Sequence, residues 1–287
     1  NSLDLRDFLL PYIEDFQEAR NTLNMANLMY QGDVWEAQLL YIPDFEENRL
    51  ASVDADFAAS ELVELSAQLG LPSEHRPDTG FDNAAWGMNT KGTFDWGELG
   101  LYAYSGWNSE GTLSLSGIEP QFTYHRRKFV GLSFSRPVGA WVLRSDLAYR
   151  INERLSPQLT SGLDYVKHDV SELLVGADYN HGSMSFSFQL LHHQVLQYDS
   201  QVLEDESTSS FSVYLSKEYM GDRLKLSYLV MGEVDQFNTL NETRISYHFT
   251  DNFIADFGLH WFAGDSTGLY GQYKDQTRVF SVLSYFL

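Results

Sequence analysis

Three features of the sequence predict an all-β fold, an antiparallel β-barrel that crosses a membrane. Large apolar residues alternate with polar ones over runs of about ten residues, aromatics gather near the ends of those runs, and connections alternate between tight turns and long loops. The stretch 140–196 carries all three. Trp141, Leu143, Leu147 and Tyr149 alternate with Arg144, Asp146 and Arg150, and Leu173, Val175, Ala177 and Tyr179 with Gly176 and Asp178. After the turn Asn180-His181-Gly182, Met184, Phe186, Phe188 and Leu190 alternate with Ser183, Ser185, Ser187 and Gln189. Successive side chains of a strand point to opposite faces, so each run has one apolar and one wet side. A soluble sandwich alternates in the same way; strand length and loop pattern favour the barrel.

Composition agrees. Aromatics make up 15% of 287 residues, with 17 Tyr and 19 Phe, which suits rings placed at a membrane–water boundary. No apolar run is long enough for a transmembrane helix, whereas a barrel strand needs apolar residues only at alternate positions. Without cysteine there is neither a disulfide framework nor a thiolate metal site. Forty acidic against 19 basic residues give a net charge of −21, which makes nucleic acid a poor partner. The acidity reads as a solvated surface, as divalent-cation bridging to lipopolysaccharide, or as a cation-favouring lumen. The sequence starts at Asn1 without the basic start, apolar core and cleavage site of a signal peptide. An outer-membrane chain needs one, so either it is removed in maturation or the chain is a fragment.

Taken in order, residues 1–21 read as an amphipathic turn or short helix and an acidic stretch. Strands follow at 22–30 and 34–42 around the turn Gln31-Gly32-Asp33. Residues 43–82 form a long acidic loop, external or folded inward as a constriction. Within it 52–70 has helical spacing through Phe57, Leu62, Leu65 and Leu69. Strands resume at 83–91 and 97–105, and a Gly-, Ser- and Asn-rich loop leads to one long strand at 122–135. A loop at 151–169 and an acidic loop at 198–208 separate the central strands from those at 209–219, 222–232, 240–250, 253–263 and 276–287. All tight connections fall at one end of the expected sheet and all long ones at the other, as with periplasmic turns and external loops. The count is 13–14 strands in a single barrel domain spanning 1–287. Because such barrels have even numbers, an N-terminally truncated larger barrel is expected.

Two passages resemble a known family. Leu3-Asp4-Leu5-Arg6-Asp7-Phe8-Leu9-Leu10-Pro11, followed by Trp35-Glu36-Ala37-Gln38-Leu39-Leu40-Tyr41-Ile42-Pro43-Asp44-Phe45, is similar to the middle of a porin-like Gram-negative outer-membrane family of unknown function. Lys128 to Tyr149, with Ser135-Arg136-Pro137-Val138-Gly139-Ala140-Trp141, resembles another of its segments. The resemblance implies a bacterial outer-membrane barrel with further strands before the Leu-Asp-Leu-Arg segment, often associated with export of lipids or hydrophobic compounds. It implies no reaction, catalytic residue or cofactor. Barrels of this kind usually end in an aromatic residue that the barrel-assembly machinery reads. Here Val279, Leu283, Tyr285 and Leu287 share a face and the last residue is Leu.

The candidate site residues follow from the two faces. Arg144, Asp146, Arg150, Asp178, Arg223, Lys225, Arg244, Asp256 and His260 are expected on the lumen side, because Arg or Lys at mid-depth on the lipid side costs about 2–4 kcal/mol. They would screen permeants or form a packed network of ion pairs. Trp141, Tyr149, Phe186, Phe188, Tyr228, Tyr247, Phe257 and Trp261 are expected to face lipid. Arg126, Arg127 and Lys128 are candidates for gripping lipopolysaccharide phosphate. His192 and His193 point to opposite faces and cannot share one metal ion. No nucleophile elbow, zinc-protease motif or phosphate loop is present. The expected function is that of a porin-like channel or the outer component of a transport or export system, not an enzyme, passing small or hydrophobic solutes through a polar lumen. The alternatives are a barrel enzyme acting on lipids and a soluble β-rich binding module.

Overall fold

Alternation of apolar and polar residues produces strands here wherever it is sustained. The computed structural model describes residues 7–8, 22–78, 80–116 and 119–286. Among them the main sheet has thirteen strands. They are β1 (Ala26–Gln31), β2 (Trp35–Ile42), β3 (Ala85–Phe94), β4 (Gly97–Trp107), β5 (Arg126–Val138), β6 (Trp141–Leu155) and β7 (Val166–His181). They continue with β8 (Met184–Val195), β9 (Ser207–Tyr219), β10 (Leu224–Glu233), β11 (Thr239–Thr250), β12 (Phe253–Ala263) and β13 (Arg278–Tyr285). Each strand is bonded to its neighbours in this order, the up-and-down antiparallel pattern that needs only local connections.

The connections alternate as expected. Tight turns of two to four residues follow β1, β3, β5, β7, β9 and β11, and longer loops follow the others. Gly139 and Gly182 sit in these turns at φ +62° and +57°, the left-handed geometry that matches strand twist in a two-residue hairpin. With an odd strand number the first and last strands of the sheet run in the same direction.

Several boundaries differ from the sequence reading. The helix α1 covers only Ser60–Leu69 rather than 52–70, with Glu61 in its first turn where the helix dipole favours an acid. Phe57 and Leu65 are buried, whereas Leu69 is exposed. The loop after β4 holds a hairpin, Thr112–Ser116 with Glu119–Thr123, and Ser73–His75 joins its second strand in parallel. The expected long strand at 122–135 is therefore two strands, broken at Tyr124-His125. The loop expected at 151–169 shrinks to 156–165 because β6 runs on to Leu155; Asn152, at φ +48°, interrupts the alternation and hid the extension. The amphipathic element expected at the N-terminus and the terminal Leu287 lie outside the described residues, apart from Asp7–Phe8, which pairs in parallel with Arg49–Leu50.

The chain divides into two compact units: residues 1–134, 146–173 and 193–207, and residues 135–145, 174–192 and 208–287. In the first, Ile42, Ala85, Tyr104 and Phe129 form one buried cluster and Leu155, Val170, Val195 and Val202 another. Glycine at 131 leaves room for the Tyr102 ring, whose hydroxyl donates to the carbonyl of Leu147 at 3.3 Å. In the second unit, Asn238 is fully buried against Gly264, Gly268 and Gly271, which fixes the base of the loop before β13.

Candidate functional site

The ladder from β10 to β13 shows how the sheet sorts its side chains. One row is Leu226, Ile245, Phe257 and Ser281; the next is Ser227, Arg244, Gly258 and Phe280. Two rows further, Leu229, Glu242, His260 and Arg278 stand on the same face as Arg244. Phe257 is 57% exposed and His260 only 1%, although they lie three residues apart on one strand. The apolar residues are the ones left open, and the ionisable ones are covered. Such inversion is costly in water and expected in lipid.

On the polar face of this C-terminal unit several charges are paired. Arg244 Nε donates to Glu242 Oε1 at 2.9 Å, and His260 Nε2 donates to Glu242 Oε2 at 2.7 Å. Gly258 leaves space for the Phe280 ring, which stacks on His260 at 4.7 Å and lies 5.3 Å from the Arg244 guanidinium. Ser246 donates to Asp256, and Lys225 stands opposite both Ser246 and Glu218. Arg144 meets Asp178 at 2.8 Å, with a further hydrogen bond from Ser187 to Asp178. Of the residues expected on the lumen side, Arg223 lies outside the strands. It belongs to the exposed turn before β10, because the hairpin needs four residues there.

In the N-terminal unit the polar face carries a second network. Arg150 donates to Glu172 at 2.6 Å, and His193 lies between Glu172 (3.3 Å) and Glu204 (3.4 Å), so the acidic loop after β8 is held to the strand face. Asp146 lies on this face of β6. Arg127 is paired with Glu153, both largely buried. Sequence reasoning missed Glu153, Glu172, Glu204 and Glu242. Glu242 was within reach, being two residues from Arg244 on one strand and so on the same face. Glu153 and Glu172 depend on register between strands, and Glu204 on where its loop packs.

The residues expected to face lipid are open to solvent in whole or in part. Trp141, Tyr149, Phe188, Tyr228 and Phe257 are exposed and Phe186, Tyr247 and Trp261 partly so. Trp141 contacts Tyr179 and Phe186, Tyr228 stacks on Trp261, and Tyr247 meets Phe249. Trp141 and Tyr149 are eight residues apart on β6, about 26 Å of strand, and Trp86 and Phe94 repeat that interval on β3. The apolar band of an outer-membrane barrel is about 25 Å tall with aromatic girdles at both rims, and these spacings, less the strand tilt, are of that order.

The basic run needs correction as a group. Arg127 points to the polar face and is occupied by Glu153. Arg126 donates to the main-chain carbonyls of Asn83 and Ala84 at 3.0 and 3.1 Å and lies over the Trp107 ring. Lys128 alone of the three is exposed on the outward face. His192 and His193 occupy opposite faces, His192 bonding Ser209 and His193 the two glutamates.

At the long-loop end, two groups are electrostatically displaced. Burial, together with Glu74 and Glu47, pushes the Tyr124 hydroxyl up to about 12. Burial, with Arg154 and Lys167 beside it, lowers His125 from 6.5 to about 4, Asp164 partly opposing. Arg154 donates to His125 Nδ1 at 3.0 Å and lies over the Tyr165 ring, which also meets His125 edge-on. A histidine with a lowered folded pKa contributes stability in full above 6.5 and loses it as pH falls through about 4. Acidification should therefore loosen this loop cluster, and His125→Asn should lack that share of the response. Limited proteolysis of both proteins at pH 7 and pH 4 measures the difference.

No family model matches the chain, and no curated protein matches its sequence. Solved outer-membrane barrels do match its structure. Acinetobacter baumannii OccAB4 aligns with a TM-score of 0.51 at 10% identity, covering 92% of this chain and 64% of that one. An anion-selective porin from Comamonas acidovorans (TM-score 0.49, 15% identity, 94% and 76% covered) and the Ralstonia pickettii toluene transporter TbuX (0.41, 12%, 91% and 80%) are further from it. The present chain thus spans about two thirds of the length of OccAB4. Its fold, a large antiparallel sheet with strands joined in sequence order, is similar to that of solved outer-membrane β-barrels.

Proposed function

We propose that the chain forms much of the wall of a porin-like outer-membrane channel, or of the outer component of a transport or export system. Small or hydrophobic solutes would pass along the polar face by diffusion. The observation that supports this best is the sorting of the two faces in the β10 to β13 ladder: Leu226, Ile245 and Phe257 are left open, whereas Glu242, Arg244 and His260 are more covered and paired. A water-lined path needs polar groups that keep their partners while a solute passes, and the Glu242 and Glu172 networks supply them. The acidic segment at 43–82, closed on itself by the ion pair of Arg76 with Glu47 at 2.6 Å, would gate the path from the loop end. Val279, Leu283 and Tyr285 on β13 are exposed and continue the apolar face.

Planar-bilayer recording of the full-length protein is the test. Discrete conductance steps are expected. Arg144→Glu, which inverts a side chain 53% exposed on the polar face, should shift the reversal potential toward cation selectivity. Absence of both membrane partitioning and conductance would overturn the proposal. One observation favours a lipid-acting enzyme instead: His192 Nδ1 lies 3.0 Å from the Ser209 hydroxyl on the exposed face. Among the described residues no carboxylate bonds His192, so the pair lacks the group that orients a catalytic imidazole. Release of fatty acid by the wild type and its loss in Ser209→Ala would establish that reading.

A further inference from the structure

The outward face of β3 to β6 is not uniformly filled. Ala103 stands in register with Met88 and, with Thr90, forms the floor of an apolar groove walled by Met88, Leu101, Val130, Leu132 and Leu147. Its lining belongs to the alternate set of residues that the strands leave open, so it faces away from the polar networks. The groove continues toward the long-loop end past Trp86, Ser105 and Ile151 and reaches Lys128.

Lys128 is an unusual residue for that face. A lysine on the lipid side is costly at mid-depth and nearly free at the interface, so its place marks the rim of the apolar band. Arg126, two residues nearer the loops, is held by neutral carbonyls and an indole ring rather than a carboxylate. Among the described residues neither cation is in an ion pair. One positive charge without an ion pair, Lys128, thus stands at the end of an apolar slot, with Arg126 two residues nearer the loops, on a chain whose net charge of −21 disfavours anions elsewhere. That is complementary to one kind of molecule: acyl chains below, a phosphorylated headgroup above.

We infer that this groove binds one acyl chain of a phosphorylated glycolipid of the lipid A type, with its phosphate on Lys128. The inference rests on the reading that this face lies in the outer membrane with the long loops external, which puts Lys128 level with the outer-leaflet headgroups. Lysine supplies a flexible point charge suited to phosphate, and the small floor residues supply the depth that a flat barrel wall lacks.

Native mass spectrometry of the full-length protein in detergent, titrated with bis-phosphorylated lipid A, tests this. The wild type should retain one lipid through a wash that strips detergent. Ala103→Phe, which fills the floor with a residue suited to a lipid-facing position, should weaken retention about tenfold, the effect of removing roughly two methylenes from apolar contact. Lys128→Ala should keep the chain contact but bind lipid A and its dephosphorylated form equally, whereas the wild type prefers the phosphorylated one. Equal retention by the wild type and both variants would overturn the inference. So would equal retention of phosphatidylglycerol, or a loss of self-association rather than of lipid in Ala103→Phe, which would mark the groove as a contact between copies. Heat-modifiable gel mobility of the same samples reports the barrel separately. If mobility shifts and lipid A is not held, the groove assignment alone fails; if mobility does not shift, the membrane reading fails with it.

Discussion

Replacing Glu153 by Ala should lower the stability of the folded barrel by about 3–5 kcal/mol, the range seen when one partner of a buried ion pair is removed. Glu153 is 2% exposed and pairs with Arg127, itself nearly buried, so the variant strands a guanidinium away from water. Arginine cannot shed its proton to escape the cost. The pair is not thereby shown to be worth 3–5 kcal/mol, because most of that loss is the penalty of an unpaired charge. The double variant Arg127→Met, Glu153→Leu should recover most of the stability, since it leaves neither charge behind. The transition temperature of heat-modifiable mobility reads both. A fall in Glu153→Ala no larger than that of a loop control such as Glu110→Ala would mean that water reaches Arg127.

The second large effect separates the two faces directly. Ile245 is 44% exposed and stands in the row of Leu226 and Phe257; Arg244, one residue earlier, stands in the opposite row beside Glu242. Ile245→Arg should destabilise the inserted barrel by about 2–4 kcal/mol, the cost of arginine on the lipid face near mid-depth. Ser227→Arg, on the polar face in the row of Arg244, should cost much less, apart from repulsion between like charges. Urea titration in lipid vesicles compares them. Equal tolerance of arginine at 245 and 227 would show that the Ile245 face is not in hydrocarbon.

Much of this arrangement was legible residue by residue. Leu226, Tyr228, Ile245 and Phe257 announce their face through alternation alone, because a strand has a period of two and nothing else need be known. The strand at 253–263 and the turn at Thr250-Asp251-Asn252 were legible for the same reason, the apolar run ending where the turn residues begin. Legibility failed where alternation lapsed. Asn152 adopts a left-handed backbone, and by sequence the strand beyond it reads as loop. The strands of the hairpin at 112–123 are five residues each; Leu113 and Leu115 do alternate with Thr112, Ser114 and Ser116, but over a run too short to stand out beside the strands of the main sheet. In the basic run, sequence adjacency suggested one phosphate grip, whereas strand geometry sends Arg127 and Lys128 to opposite faces.

By itself, the sequence determined that the chain is a sheet of about thirteen antiparallel strands with one apolar and one polar face, and that its loops are long at one end only. These follow from local rules of side-chain direction and turn chemistry. Tertiary structure decided which charges meet. Glu242 finds His260 across a hairpin, Arg150 finds Glu172 on the next strand, and Arg127 finds Glu153 beyond an irregular residue. Register between strands sets those pairs. It also made a groove of Ala103 and Thr90 by placing larger residues around them, and that neighbourhood exists only once the strands are paired.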